Sequence, residues 1–221
     1  MVKSKGWERE KVKGESEKMW KEPAEETYYL VQRWEKQEKK ELLDIGCGLG
    51  RNTIFFAKQG FNVHTFDISE DAVKRTKEFA KEENVTIDIK QADMLNIPYG
   101  ANTMDCVYSR NVISHTDTEG VKKIISEIYR VLKNEGECYL TLGSKDTWGY
   151  KQKSWPKVDD NTKIRQDEGP EYGVPHFYAD YELIIDLFKD FKIIDIKHIK
   201  DFYKVNDKIS TSYHYHILVK K

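Results

Sequence analysis

The 221-residue chain has no apolar run near the roughly 18 residues that a membrane-spanning helix needs. Its first 21 residues also lack the apolar core of a signal peptide. Neither a span nor a leader is expected, and the cytoplasm is the expected location. Cysteine is scarce. Cys47, Cys106 and Cys138 stand far apart with no CxxC pair, which excludes a zinc ribbon or dithiol motif and leaves three small buried residues. An excess of either charge is missing too. Lysine plus arginine number 37 against 38 for aspartate plus glutamate, a net charge of -1, so no global field draws the chain toward nucleic acid or an anionic membrane.

What is present is alternation. A charged helical opening runs to about residue 40, and "ELLDI" then reads as a strand that enters "GRNTIFFAKQG", a helix ending at Gly60. "FNVHTFD" alternates as a second strand. "SEDAVKRTKEFAKEE" carries Ser69 as an N-cap and Ala72, Val73, Phe79 and Ala80 along one side. "VTIDIKQAD" and "TMDCVYS" are strands by their β-branched and apolar alternation. A helix follows with Val121, Ile124, Ile125, Ile128 and Leu132 at helical spacing, and "GECYLTLGS" is a fifth strand. Strands alternating with helices predict an α/β fold with a doubly wound, mainly parallel sheet.

Residues 145–177 break this pattern with prolines, glycines and aromatics but no periodicity, and loops of that length are usually functional or disordered. A helix, "YADYELIIDLFKDF", and two strands, "KIIDIKHI" and "SYHYHILVKK", close the chain. Residues 200–211 between those strands show no helical pattern, so the last strand should run antiparallel to its neighbour.

The glycines of "DIGCGLGRNT" limit the ligand. A dinucleotide fingerprint needs G-x-G-x-x-G; Gly46 and Gly48 fit, but Arg51 fills the third slot and Gly50 comes one place early. The Gly-Lys-Ser/Thr ending of a phosphate-binding P-loop is missing.

With Asp44, Gly46, Gly48 and Gly50 in its four fixed places, "LLDIGCGLGRNT" resembles motif I of the class I S-adenosylmethionine-dependent methyltransferases. Further landmarks follow in order: Asp67 closing the second strand, "QADML" after the third, "MDCVYSRNVISH" at the fourth, and "EIYRVLKNEGECYLTLGS". The resemblance spans residues 42–144, and the antiparallel ending extends it. It implies a seven-stranded sheet, S-adenosylmethionine as cofactor and S-adenosylhomocysteine as product. Asp67 would accept from the ribose hydroxyls, Asp93 from the adenine amino group, and the Met94 backbone would meet the ring nitrogen. The cofactor set it implies comprises Asp44, Gly46, Cys47, Gly48, Asn52, Asp67, Ile68, Asp93, Met94 and Arg110. It also implies one domain over residues 1–221: a helical cover at 1–40 bearing Trp7, Trp20, Tyr28 and Tyr29, a cofactor-binding core at 41–144, an active-site insertion at 145–178, and a C-terminal helix and strand pair at 179–221.

In open α/β sheets the ligand lies beyond the carboxyl ends of the strands, where the loop at 110–116 and the insertion converge with "SYHYH". His115 and His176 are the candidate catalytic residues, and Trp148, Tyr178 and His214 the candidate acceptor-binding ones, among further aromatics Tyr150, Trp155 and Tyr213. His214 and His216 alternate onto one face, so at least one should be a satisfied core histidine. No metal is expected, because the histidines lack a carboxylate or thiolate companion at ligand spacing. The acceptor is expected to be a small molecule. The nucleobase-amine motif Asn/Asp-Pro-Pro-aromatic is replaced by "SRNV", and neither charge nor length supplies a basic RNA-binding domain. A protein acceptor leaves no compositional signal. A catalytically silent cofactor-binding protein and an NAD-dependent oxidoreductase are the competing classes.

Overall fold

Three helices start where a polar side chain satisfies a free backbone N–H, and each buries the face that its apolar spacing defines. In the computed structural model, which describes residue 4 and residues 22–205 and 208–221, Ser69 accepts from Ala72 N ahead of one helix, and Asp117 accepts from Gly120 N at 2.8 Å ahead of another. Asp180 does the same for Leu183 N at 3.0 Å. The helices are α1 (Glu25–Glu35), α2 (Arg51–Lys58), α3 (Glu70–Glu82), α4 (Thr118–Val131), α5 (Trp148–Lys151) and α6 (Tyr181–Leu187).

The strands are β1 (Glu41–Ile45), β2 (Asn62–Asp67), β3 (Asp88–Gln91), β4 (Met104–Ser109), β5 (Leu132–Ser144), β6 (Lys157–Asp159), β7 (Thr162–Ile164), β8 (Pro175–Ala179), β9 (Lys192–Val205) and β10 (Lys208–Lys220). Seven of them lie in the order β3-β2-β1-β4-β5-β10-β9. The pairs from β3 to β5 are parallel, and β10 is antiparallel to both β5 and β9, as the absence of a crossover helix between the last two strands predicts. The order reverses between β1 and β4, the switch point at which such sheets bind ligands.

Because side chains alternate along a strand, the sheet feeds two cores. Leu43, Ile45, Val107 and Leu140 pack with Ile124, Ile128 and Phe188 on one face; Leu42, Cys106, Tyr108 and Tyr139 pack with Leu30, Trp34 and Phe56 on the other. All three cysteines are buried and free. No helix among the described residues is long and apolar enough to cross a membrane.

Three expectations need correction. Residues 145–177 are not an aperiodic loop: they form α5 and a small meander, β6–β7–β8, in which β8 pairs with β5 at Gly143 and Ser144 beyond the end of β4. These elements have three to five residues each, too few for a period to register. Residues 200–205 and 208–211 are not a connecting loop either, since they lengthen β9 and β10, which pair from Val205 and Lys208 outward. The third strand is confined to Asp88–Gln91.

Trp7 and Trp20 lie outside the described residues. Helix α1 packs on the sheet through Leu30, Val31 and Trp34, and it turns Tyr28 and Tyr29 outward, both more than half exposed.

Candidate active site

Two clefts open at the carboxyl ends of the parallel strands. The first, about 810 Å³ including its mouth, is built from the loop after β1, the tips of β2 and β3, and the loop after β4. Gly46 has a φ of +75°, and a Cβ there would stand 2.6 Å from Val112 Cγ1, so only glycine admits the β4 loop this close to the β1 loop. Gly46 N and Cys47 N both donate to Phe66 O, which ties the loop to β2.

Asp67 is buried at the tip of β2; its Oδ2 accepts from Gly48 N and its Oδ1 from Ser69 N, each at 3.0 Å. Ile68, Ala92 and Met94 flank it, making an apolar slot with one acid at its edge. Toward α1 the lining becomes cationic. Asn52 Oδ1 accepts from Ala24 N at 3.0 Å, and Arg110 pairs with Glu26 at 2.7 Å, while Glu26 also accepts from the Tyr108 hydroxyl at 2.9 Å. Burial works against the Arg110 charge but Glu26 outweighs it; burial and the Arg110 charge together pull Arg51 below its usual value. Burial pushes the Cys47 thiol up to about 12, so no thiolate faces the cleft at neutral pH.

Eight of the ten residues expected around a cofactor line this cleft: Gly46, Cys47, Gly48, Asn52, Asp67, Ile68, Met94 and Arg110. Asp44 and Asp93 are not among its lining. Asp93 accepts from Leu95 N at 2.9 Å in its own turn. Asp44 is buried, and its Oδ2 accepts from the Thr53 hydroxyl at 2.5 Å, which pins the start of α2 to the end of β1.

Burial raises the Asp44 carboxyl from 3.8 to about 6, against the Thr53 bond, and the nearby Asp67 charge adds to the rise. The folded protein therefore holds this proton more tightly than the unfolded chain does. The stability it contributes is full below the unfolded value near 3.8 and is lost as the pH rises through 6. Two units correspond to about 3 kcal/mol. Asp44→Asn, which still accepts from Thr53, is expected to raise the unfolding free energy by about 1 to 3 kcal/mol at pH 8 and to change it little at pH 4. Denaturant titrations at the two pH values check this, and an equal change at both contradicts it.

The second cleft, about 820 Å³, adjoins the first, and Asn111 and His115 line both. The meander and the hairpin close its far side. Here the structure brings together His115, His176, Trp148, Tyr178 and His214, the five residues expected around the acceptor. His115 and His176 meet with ring centroids 5.0 Å apart, and Trp148 lies edge-on to Trp155 at 5.2 Å. Burial, and then the neighbouring His115, push the His176 imidazole well below its usual value, so it is neutral at physiological pH. His214 pairs with Asp201 at 3.4 Å, whereas His216 hydrogen-bonds the Tyr139 hydroxyl away from the cleft, the satisfied member of the alternating pair.

Sequence reasoning missed Asn111, Arg165 and Glu171. Arg165 and Glu171 lie in the stretch without period. Glu171 is the carboxylate whose absence counted against a metal, and its Oε1 lies 4.0 Å from His115 Nε2.

A doubly wound sheet with an antiparallel strand inserted beside β5, and a glycine loop facing an acid at the tip of β2, is the architecture of the class I methyltransferases. The comparisons agree. Residues 42–136 match the family model of the methyltransferase domain. A SAM-dependent methyltransferase structure from Methanosarcina mazei superimposes with a TM-score of 0.71 at 20% identity, over 83% of this chain and 93% of that one. The chain is 32% identical to an uncharacterized protein of Methanocaldococcus jannaschii over 56% of its own length and 49% of the relative's. It is 29% identical to the phosphoethanolamine N-methyltransferase of Plasmodium falciparum, over 65% of this chain and 55% of that protein. The chain thus spans about half the length of these curated relatives. Residues 42–136 thus match the methyltransferase domain, within a fold shared with S-adenosylmethionine-dependent methyltransferases, whose cofactor is S-adenosylmethionine.

Proposed function

We propose that this protein is a cytoplasmic enzyme that transfers the methyl group of S-adenosylmethionine to a small-molecule acceptor, binding the cofactor in the first cleft and the acceptor in the second. The observation that carries this reading is the junction of the two clefts at Asn111 and His115. A methyl held at that point faces both.

The residues present fit the cofactor. Asp67 suits a ribose diol, the slot formed by Ile68, Ala92 and Met94 suits a purine, and the cationic end at Arg51 and Arg110 suits an amino-acid carboxylate. Asp44 acts behind this lining by holding α2, and Asp93 by shaping the turn that presents Met94. Bound there, the cofactor would supply an electrophilic methyl, which the acceptor's nucleophilic atom would take from sulfur while the electron pair of the broken S–CH3 bond stayed on sulfur. The protein's part is alignment and exclusion of water, which contribute through proximity rather than through a strong base.

Trp148, Trp155, Phe177 and Tyr178 give the second cleft apolar walls beside convergent polar groups from Asn111, Thr141 and the histidines, a mix that suits a small ligand. The similarity to a phosphoethanolamine N-methyltransferase supports a small acceptor as well. A near-neutral net charge and walls of this kind favour neither RNA nor a membrane as partner.

Calorimetry and a labelled-methyl screen over pooled metabolites test the reading. S-adenosylhomocysteine is expected to bind, NAD is not, and label is expected to pass to a small organic product. Tight NAD binding with no S-adenosylhomocysteine binding would overturn it. Binding without transfer to any small molecule would leave a cofactor-binding protein, or an enzyme acting on a macromolecule.

A further inference from the structure

The second cleft holds more than an apolar pocket requires. His115, His176 and Glu171 each present a ligand atom, and these atoms all lie within 4.8 Å of one another. Ligands about 2.1 Å from a tetrahedral ion stand about 3.4 Å apart, so rotations of three side chains bring them into range. His176 Nε2 is buried and has no hydrogen-bond partner among the described residues, a costly state for an imidazole nitrogen that nothing else in the cleft relieves.

Glu171 is already oriented. One of its oxygens pairs with Arg165, and Arg165 is braced from the other side by Asp167 at 2.7 and 2.8 Å. The remaining oxygen, Oε1, is the one that faces His115. Two carboxylates around one guanidinium leave this corner with a net negative charge, which suits a cation. A carboxylate ligand held by an outer hydrogen-bond partner is how metal sites fix their geometry. The segments are pinned together as well: Phe177 N donates to Ser114 O at 2.8 Å, locking the meander to the loop that carries His115.

We propose that His115, His176 and Glu171 form a site for a divalent first-row transition-metal ion in the acceptor cleft, a site that holds an acceptor hydroxyl or thiol at one of its open positions. Two imidazoles and one carboxylate are the donor set that such ions take, with coordination positions left over. This deepens the functional reading above and rests on it for the acceptor, though not for the ion. An acceptor hydroxyl or thiol at the ion ionises more readily and gives its proton to water, leaving the anion that attacks the methyl. The two histidines then act as ligands, and neither serves as the base.

The test uses the full chain, freed of metal by chelation and titrated with Co2+, while its visible ligand-field absorption is followed. One equivalent is expected to produce a saturable band. In Glu171→Gln and His176→Asn the apparent affinity should fall at least about tenfold, as loss of a ligand demands. S-adenosylhomocysteine affinity, measured by calorimetry, should stay within about twofold and also reports that each variant is folded. No band in the wild-type protein overturns the proposal, and so does a band equally strong in both variants; an organic acceptor is then the partner of His176 Nε2. Methyl transfer that persists undiminished after chelation likewise overturns the site while leaving the methyltransferase reading intact. Failure of S-adenosylhomocysteine to bind the wild-type protein counts against that reading alone.

Discussion

Replacing Glu137 with alanine is expected to destabilise the fold by about 3 to 5 kcal/mol, the range for breaking a buried ion pair. Glu137 is 1% exposed on β5, and its carboxylate accepts from Arg33 Nε at 2.8 Å and Nη2 at 2.7 Å, from Trp34 Nε1 at 3.0 Å and from Gln37 Nε2 at 3.2 Å. All three donors lie on α1 or immediately after it, so one side chain fastens that helix to the sheet. Burial pushes the Glu137 carboxyl up, but the hydrogen bonds from Arg33, Gln37 and Trp34, together with the Arg33 charge, outweigh it and leave it below the usual 4.5. With the folded pKa depressed, the contribution is present above 4.5 and is lost as the pH falls through the folded value. The difference between wild type and variant should therefore shrink in acid. Urea titrations at pH 7 and pH 3 measure it, and a loss under about 0.5 kcal/mol at pH 7, the size of an ordinary surface change, would contradict the assignment. Because α1 also carries Glu26 to Arg110, the variant should bind S-adenosylhomocysteine more weakly.

The second large effect is on binding. Asp67→Ala is expected to weaken S-adenosylhomocysteine at least about a hundredfold, since charge-assisted hydrogen bonds contribute about 1.5 to 3 kcal/mol each. Asp67 holds Gly48 N and Ser69 N and in the proposed complex also accepts from the ribose, so its loss both removes ligand contacts and loosens the glycine loop. Calorimetry reads the affinity, and a thermal melt confirms the fold. Undiminished affinity would remove Asp67 from the cofactor site.

The first cleft was legible because its constraints are local. Gly46 sits at φ +75° hard against Val112, and Asp67 ends a strand whose alternation is plain; a pattern of a few residues carries each requirement. Ser69 likewise announces the helix it caps. The second cleft was legible in composition but not in arrangement. His115, His176, Trp148, Tyr178 and His214 were readable as candidates, yet the three-residue strands β6 and β7 that gather them are too short to leave a period. Glu171 escaped because its relation to His115 crosses 56 positions of chain and exists only after the meander folds back. Residues 200–211 were read as a connection because they lack a helical pattern, whereas residues 200–205 and 208–211 extend β9 and β10, elements that leave no such pattern.

The position of β10 bears on the order in which the molecule can assemble. It is the latest strand in the sequence, yet it stands inside the sheet, between β5 and β9. During N-to-C synthesis, β1 to β5 can pair and bury their helices while Cys138, Leu140 and Leu142 still line a strand whose outer edge has no partner. An open apolar edge is a template for pairing with other chains. A chain truncated before residue 213 therefore keeps an open, aggregation-prone margin on β5 that pairing with β10 covers.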